Sequence, residues 1–206
     1  MLIRKLTLAV ICLIPSIVLI AIFLLTSKHI PYAMDTIVLG ILAYSCMLNA
    51  VYLASKPKWI DRLIGLQNGY IFHIFLGSSA IILALGHKLV STAHGVTQIT
   101  GYAGLIILVL IAVFSMPLLN GYLKASVAAV RKLNQKVAKF LPHEGIVNVH
   151  RLNLLVVLIA FTHVSSMTFF RSNLLFYSLF VVYTLGAVGS FIFNKVREKR
   201  LLFTGT

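Results

Sequence analysis

Six long apolar runs constrain this chain more than any other feature of its sequence. The runs cover residues 8–25, 34–54, 69–90, 99–119, 146–169 and 174–193. A helix needs about 20 mostly apolar residues to cross the hydrocarbon core of a bilayer, and each run is close to that length. Of the 206 residues, 60% are hydrophobic and only 11% are charged, which leaves little for a soluble domain. We therefore predict an all-α membrane protein whose single domain, residues 1–206, is a bundle of six transmembrane helices.

Basic residues give the chain a net charge of +14, and most of them fall on one side of this six-helix arrangement. That side carries Arg4, Lys5, Lys56, Lys58, Arg62, Lys124, Arg131, Lys132, Lys136, Lys139, Lys195, Arg197, Lys199 and Arg200. The opposite side carries Lys28, Lys88 and Arg171. Because basic loops are retained in the cytoplasm, both termini are predicted to be cytoplasmic. The distribution favours membrane lipid over nucleic acid as the partner, and we expect a multi-pass protein in the cell membrane of a bacterium.

The loop between the fourth and fifth runs contains the stretch "SVAAVRKLNQKVAKFL", residues 126–141. Its apolar residues recur at steps of three and four with basic residues between them, which predicts an amphipathic helix on the inner membrane surface. Two interpretations remain open for this helix. It can anchor on anionic lipid, or it can be the docking surface for a cytosolic partner.

Four histidines lie within or at the ends of two apolar runs. His73 and His87 are 14 positions apart on the third run, and His150 and His163 are 13 positions apart on the fifth. At a rise of about 1.5 Å per residue the separations are about 21 and 19.5 Å. The third and fifth helices run in the same direction, so His73 is expected level with His150 near the cytoplasm, and His87 level with His163 near the outside.

Two facing imidazoles at each membrane level form a ligand set for two six-coordinate haems. Other interpretations exist, because an intramembrane histidine also serves as a hydrogen-bonding residue between helices or as a proton relay. Zinc is a weaker alternative, since it prefers four ligands around one centre. On an ideal helix the 13 positions would leave His150 and His163 about 140° apart. Either the fifth helix is locally distorted, or its two ligands are approached from different sides.

The spacing of the four histidines resembles that of the ferric reductase-like transmembrane domain family, which includes the membrane domains of ferric reductases and NADPH oxidases. The stretches "KWIDRLIGLQNGYIFHIFLG", before and around His73, and "HRLNLL", starting at His150, also resemble this family. The resemblance covers the second to sixth helices. It implies two haem b groups, one bound by His73 and His150 on the cytoplasmic side and the other by His87 and His163 on the outer side.

The resemblance also implies electron transfer across the membrane to an extracellular acceptor, which can be ferric iron, oxygen or an extracellular flavoprotein. Members of the family continue into flavin- and nicotinamide-binding domains, whereas we expect no flavin or nicotinamide site within this chain. A separate flavoprotein or a quinol is therefore the expected electron donor for this membrane oxidoreductase component. The alternatives are a cytochrome b subunit of a quinol-linked respiratory complex, and a transporter or structural protein that binds no haem.

Two arginines are expected at the level of the cytoplasmic haem. Arg62 and Arg151 could each form charge-assisted hydrogen bonds with haem propionates. The alternative is that their long side chains reach out to lipid phosphate.

The charge distribution generates a topology prediction. In intact cells, a cysteine that replaces Lys136 should resist a membrane-impermeant thiol reagent, whereas a cysteine that replaces His94 should react with it. The unsubstituted chain, whose Cys12 and Cys46 lie inside apolar runs, is the background control. The reverse labelling pattern would place His87 and His163 on the cytoplasmic side and contradict the predicted direction of electron transfer.

Overall fold

The protein is described by a computed structural model that covers residues 2–27, 34–119 and 126–204. These residues form ten helices, which are α1 (Leu2–Thr26), α2 (Met34–Ala54), α3 (Lys58–Ile64), α4 (Leu66–Val90), α5 (Gly95–Leu119), α6 (Ala128–Val137), α7 (His143–Arg151), α8 (Asn153–Ser165), α9 (Thr168–Ser172) and α10 (Leu174–Thr204). No strand occurs in these ranges. Lys28 and Lys124, which contributed to the charge pattern, lie outside the described residues.

Six helical spans in the described residues are long and apolar enough to cross a membrane. They are α1, α2, α4, α5, the combination of α7 and α8, and α10. The prediction of an all-helical protein with six such spans is confirmed. The second span matches its predicted bounds of 34–54, whereas the sixth was predicted to end at residue 193 and continues to Thr204. Its basic end, "KVREKR", consists largely of good helix formers, which allows the helix to extend beyond the apolar run.

The second span, α2, is the central helix of the bundle. Half of its apolar window is buried, compared with 11–28% for the other five spans. It packs against α1, α4, α8 and α10. Two polar contacts add to this packing: the Asn49 side-chain amide donates to the Cys12 carbonyl of α1 at 2.7 Å, and the Tyr44 hydroxyl lies 3.0 Å from the Thr184 hydroxyl of α10. Helix α2 therefore provides a fixed support for the helix packed on its other side, α4.

Two helix units face each other within the bundle. In the first unit α2 packs along α4, and in the second α5 packs along α7 and α8. Close backbone packing within the described residues is extensive inside each unit, whereas α4 and the α7–α8 helix are not among the closely packed helix pairs. A gap lined by side chains therefore separates α4 from α7 and α8.

The fifth apolar run is interrupted at Leu152, between α7 and α8. The Leu152 N–H donates to the Val149 carbonyl at 3.0 Å, and the Leu155 N–H donates to the Leu152 carbonyl at 2.9 Å. These bonds span three residues, so the chain is wound more tightly here than in an α-helix. The predicted helix over residues 146–169 is thus distorted locally, which was one of the two alternatives raised by the 13-residue histidine spacing. It also ends earlier than predicted, at Ser165, and the short helix α9 follows it.

The predicted amphipathic helix is present as α6, shorter than the stretch 126–141 that suggested it. None of its residues is buried. It contacts α5, and its basic residues are exposed.

Candidate functional site

The four histidines form two imidazole pairs across the gap between the helix units. In the first pair the ring centroids of His73 on α4 and His150 on α7 are 5.9 Å apart, with an angle of 68° between the ring planes. In the second pair the centroids of His87 on α4 and His163 on α8 are 6.1 Å apart, at 84°. Both α7–α8 histidines therefore face α4, and the interruption at Leu152 lies between them.

Each imidazole forms a hydrogen bond with the helix behind it through its Nδ1 atom. In the first unit, Nδ1 of His73 lies 2.9 Å from the Ala50 carbonyl oxygen, and Nδ1 of His87 lies 2.8 Å from the Thr36 carbonyl oxygen. Both acceptors are on α2. Because a carbonyl oxygen can only accept, Nδ1 carries the proton in both rings.

The second helix unit repeats this arrangement with α5 as the support. Nδ1 of His163 lies 2.8 Å from the Thr97 carbonyl oxygen, and Nδ1 of His150 lies 3.1 Å from the Ser115 hydroxyl oxygen. That hydroxyl already donates to the Ile111 carbonyl at 2.6 Å, so it accepts from the imidazole. All four rings thus share one tautomer, and in a neutral imidazole this leaves a lone pair on Nε2.

The separation of the rings fits a metal held between them. A metal bound by two opposed imidazoles at about 2 Å per bond holds their nitrogens about 4 Å apart and their ring centroids about 6 Å apart. The observed separations are 5.9 and 6.1 Å. Among the residues that the structure describes, Nε2 of none of the four rings forms a hydrogen bond. Ligating histidines usually donate their other ring N–H to a carbonyl or carboxylate group, as the Nδ1 atoms do here.

The donor set favours a metal that brings further ligands of its own. Within the described ranges, no group of three or more His, Cys, Asp or Glu side chains could hold a metal ion. Two imidazoles do not complete the tetrahedral shell that zinc prefers. They do complete the coordination of an iron whose other four ligands are the nitrogens of a porphyrin, so the donor groups of each pair fit a haem.

A cavity of about 890 Å³ extends from the first imidazole pair, and both His73 and His150 line it. Most of its wall is apolar, with Val51, Ile74 and Phe191 among the lining side chains. The volume lies in the range of small-molecule and cofactor sites, about 300–1,000 Å³. Asn153, beside the interrupted helix, also lines the cavity. Its Oδ1 atom is buried and has no hydrogen-bond partner among the described residues, which is typical of a wall against which a ligand or water is bound.

The structure separates the two arginines that were expected near this site. Arg151 lines the cavity, and its guanidinium donates to Asn148 Oδ1 at 2.9 Å. Arg62 is exposed on α3 and is not among the cavity-lining residues. Lys56 and Lys195, which were not singled out from the sequence as site residues, line the cavity together with Arg151.

Two glycines make room for the second imidazole pair. A Cβ atom on Gly40 of α2 would lie 3.1 Å from Cε1 and from Nδ1 of His87. A Cβ atom on Gly101 of α5 would lie 3.0 Å from Cε1 and 3.2 Å from Nδ1 of His163. Each glycine comes four residues after the threonine whose carbonyl accepts from the same ring. The sequence signal that identifies this support is therefore a repeated T-x-x-x-G, "TIVLG" at residues 36–40 and "TQITG" at residues 97–101.

Comparison of the chain with protein-family models, with curated proteins and with solved structures finds no match.

Gly101→Ala should destabilise the support of His163. The new methyl group would press on the ring and weaken its bond to Thr97, a bond worth about 0.5–1.5 kcal/mol. Gly186→Ala on α10 is the matched control, because its Cβ would meet nothing within 4 Å and it gains the same helix propensity of about 1 kcal/mol. We expect Gly101→Ala to unfold about 2–4 °C lower than Gly186→Ala for each 1 kcal/mol lost. Nitrogen-15 NMR of His163 should show a weakened Nδ1–H bond, and equal midpoints with an unchanged spectrum would contradict this role of Gly101.

Proposed function

We propose that this chain is a di-haem b electron-transfer protein, and that it moves electrons across a membrane from a donor at the cytoplasmic face to an acceptor outside. The observation that carries the proposal is the pair of opposed imidazoles at two levels of the bundle, at 5.9 and 6.1 Å. In this proposal His73 and His150 bind one haem, and His87 and His163 bind the other. A b-type haem, when bound, supplies an iron that gains and loses a single electron.

The protein's own residues hold the ligands in place. The Nδ1–H bonds of the imidazoles to α2 and α5 fix the ring orientation and tautomer of each histidine, so Nε2 does not have to reorient to bind a metal. A ligand fixed in this way changes little in geometry when the charge of its metal changes. Bonds from Nδ1–H to a strong acceptor also increase the basicity of Nε2.

The apolar wall of the cavity is the second contribution of the protein to the proposed electron transfer. Side chains such as Leu108 and Leu154 line the space beside the first imidazole pair. They exclude water from the ligand atoms and lower the local dielectric constant. Exclusion of water also keeps protons and small reactants away from the path of the electron.

The direction of transfer follows from the charge distribution of the sequence. Basic loops predict that the first pair is near the cytoplasm and the second pair near the outside. With a negative cell interior, the outward movement of an electron releases about 2.3 kcal/mol of free energy per 100 mV of membrane potential. Outward transfer to ferric iron, oxygen or an extracellular flavoprotein is therefore favoured by the membrane potential.

The spectrum of the purified protein tests the proposal, and single substitutions test the pairing. The protein should show the visible bands of low-spin b-type haem and contain two haems per chain. His87→Leu should retain about one haem per chain, because only the second imidazole pair loses a ligand. His94→Leu, which changes an exposed histidine close to the same membrane level, should retain both. Colourless protein from cells supplied with haem would refute the proposed function, and full haem content in His87→Leu would refute the pairing.

We expect the donor to be a separate molecule, which generates a kinetic prediction. A nicotinamide gives up two electrons as a hydride and a flavin is the usual converter to single electrons. The described segments between the spans on the predicted cytoplasmic side are the short helices α3 and α6, which are too small to enclose a dinucleotide. Mixing the purified, flavin-free chain with NADPH in a stopped-flow instrument should leave the haems oxidised, whereas dithionite should reduce them. Rapid, complete reduction by NADPH would contradict the need for a separate donor.

A further inference from the structure

Three cations gather at one end of the cavity beside the first imidazole pair. They are Lys56 in the turn between α2 and α3, Arg151 at the end of α7, and Lys195 on α10. One carboxylate, Asp61, also lines the cavity. The lining therefore combines a large apolar wall with more positive than negative charge, and a ligand that fills it should have an apolar body and an anionic end.

A carboxylate of the protein lies at this cationic end. Glu198 of α10 pairs with the Lys195 ammonium group one turn away, and its other oxygen lies 3.9 Å from the Lys56 ammonium nitrogen. The Arg151 guanidinium also acts electrostatically on the Glu198 carboxylate. One side-chain carboxylate thus interacts with all three cations.

The fold constrains the backbone at Lys56 and the side chain of Lys195. Lys56 is the only residue other than glycine with a positive φ in the described ranges, at +52°, and its N–H donates to the Leu53 carbonyl at the end of α2. This left-handed conformation is uncommon for a side-chain-bearing residue and persists where the surroundings require it. Lys195 is the more buried member of its ion pair with Glu198, because 28% of its side chain is exposed compared with 47% for Glu198.

We propose that Lys56, Arg151 and Lys195 form a carboxylate-binding mouth, and that Glu198 occupies this mouth until a carboxylate of the incoming ligand displaces it. The inference rests on the proposed function, because it assigns the ligand carboxylates to the propionates of the haem at His73 and His150. Charge-assisted hydrogen bonds between ammonium or guanidinium groups and carboxylates are among the strongest in proteins. When Glu198 is displaced it is left exposed to solvent, where a carboxylate is well hydrated.

The test compares a haem that has free propionates with one that has none. The full chain, with His87→Leu and His163→Leu to leave only the first imidazole pair, is prepared without haem in vesicles of zwitterionic lipid. It is titrated with haem b and, separately, with haem b dimethyl ester, and the dissociation constants are measured from the visible absorption. The variants are Lys195→Met and Glu198→Gln, and the matched control is Arg197→Met, a cation of α10 that does not line the cavity.

The two variants should act in opposite directions. The parent chain should bind the diacid about tenfold more tightly than the diester, the factor expected for one charge-assisted hydrogen bond. Lys195→Met should reduce this preference, because it removes a cation from the mouth. Glu198→Gln should increase the affinity for the diacid and leave that for the diester nearly unchanged, because it removes the competing carboxylate. Arg197→Met should leave both affinities unchanged.

The possible failures are distinguishable from one another. If the Lys195–Glu198 pair serves only to stabilise α10, both variants should weaken the binding of both haems together, which would overturn the inference. Misfolding cannot produce the expected gain in affinity of Glu198→Gln. Equal affinity of the parent chain for diacid and diester would overturn the carboxylate mouth while haem binding stood. Binding of neither compound, without a low-spin spectrum, would refute the proposed function itself.

Discussion

An imidazole N–H in the hydrocarbon layer requires an acceptor, and this requirement organises the helix bundle. Four imidazoles meet it with acceptors on a neighbouring helix, three of which are backbone carbonyls and one the Ser115 hydroxyl. An unpaired buried donor would cost about 1–3 kcal/mol. Each supporting helix must therefore lie close to the helix that carries the histidines. The extensive packing of α2 on α4, and of α5 on α8, is consistent with this requirement. With both rings of a pair bonded to their supports, Nε2 is the nitrogen left for a ligand in the gap.

The same requirement accounts for details that would otherwise look unrelated. His73 and His87 are 14 residues apart on α4, and their acceptors Ala50 and Thr36 are also 14 residues apart on α2, as expected for two antiparallel helices in continuous contact. The imidazoles of the second pair lie so close to their supports that only glycine fits at positions 40 and 101 without moving a ring. On the α7–α8 side, 13 residues cannot place two side chains on one face of a regular helix. The tighter turn at Leu152 adds rotation between the two histidines and so reduces this difference in direction, and both rings face α4.

Much of the fold could be predicted from the sequence, and much of the site could not. The six spans follow from apolar length alone, because a bilayer fixes the length that a helix needs. The alignment of His73 with His150 and of His87 with His163 follows from spacing and helix direction.

The interruption at Leu152 could not be located, since neither proline nor glycine lies between His150 and Asn153 and ordinary residues carry no local signal for a tighter turn. Lys195 could not be assigned to the site because its sequence neighbours resemble any basic tail, and it reaches the cavity through the packing of α10 in the bundle. Arg62 was expected at the site because it lies close to His73 in the sequence, but it is exposed on α3 and does not line the cavity.

The surroundings of the two imidazole pairs differ more than their ligands do. The rings of the second pair lie against the backbone of Gly40 and Gly101, whereas the first pair opens into a cavity lined by Lys56, Arg151 and Lys195. A positive potential favours the form of a nearby group that carries one more electron. With a haem bound at the first pair, as proposed, three cations would raise its reduction potential, and Glu198 would oppose this effect as long as its carboxylate lies among them. The His150 ring donates to the Ser115 hydroxyl, whereas the other three rings donate to carbonyls, and a hydroxyl is a weaker acceptor. Less electron density is then directed towards its Nε2 atom, which acts in the same direction as the cations. In the proposed function both features would raise the reduction potential of a haem at the first pair, which would ease its reduction by the donor and oppose onward transfer to the second pair. The outward step would then depend on the membrane potential, which contributes about 2.3 kcal/mol per 100 mV, and on the acceptor outside.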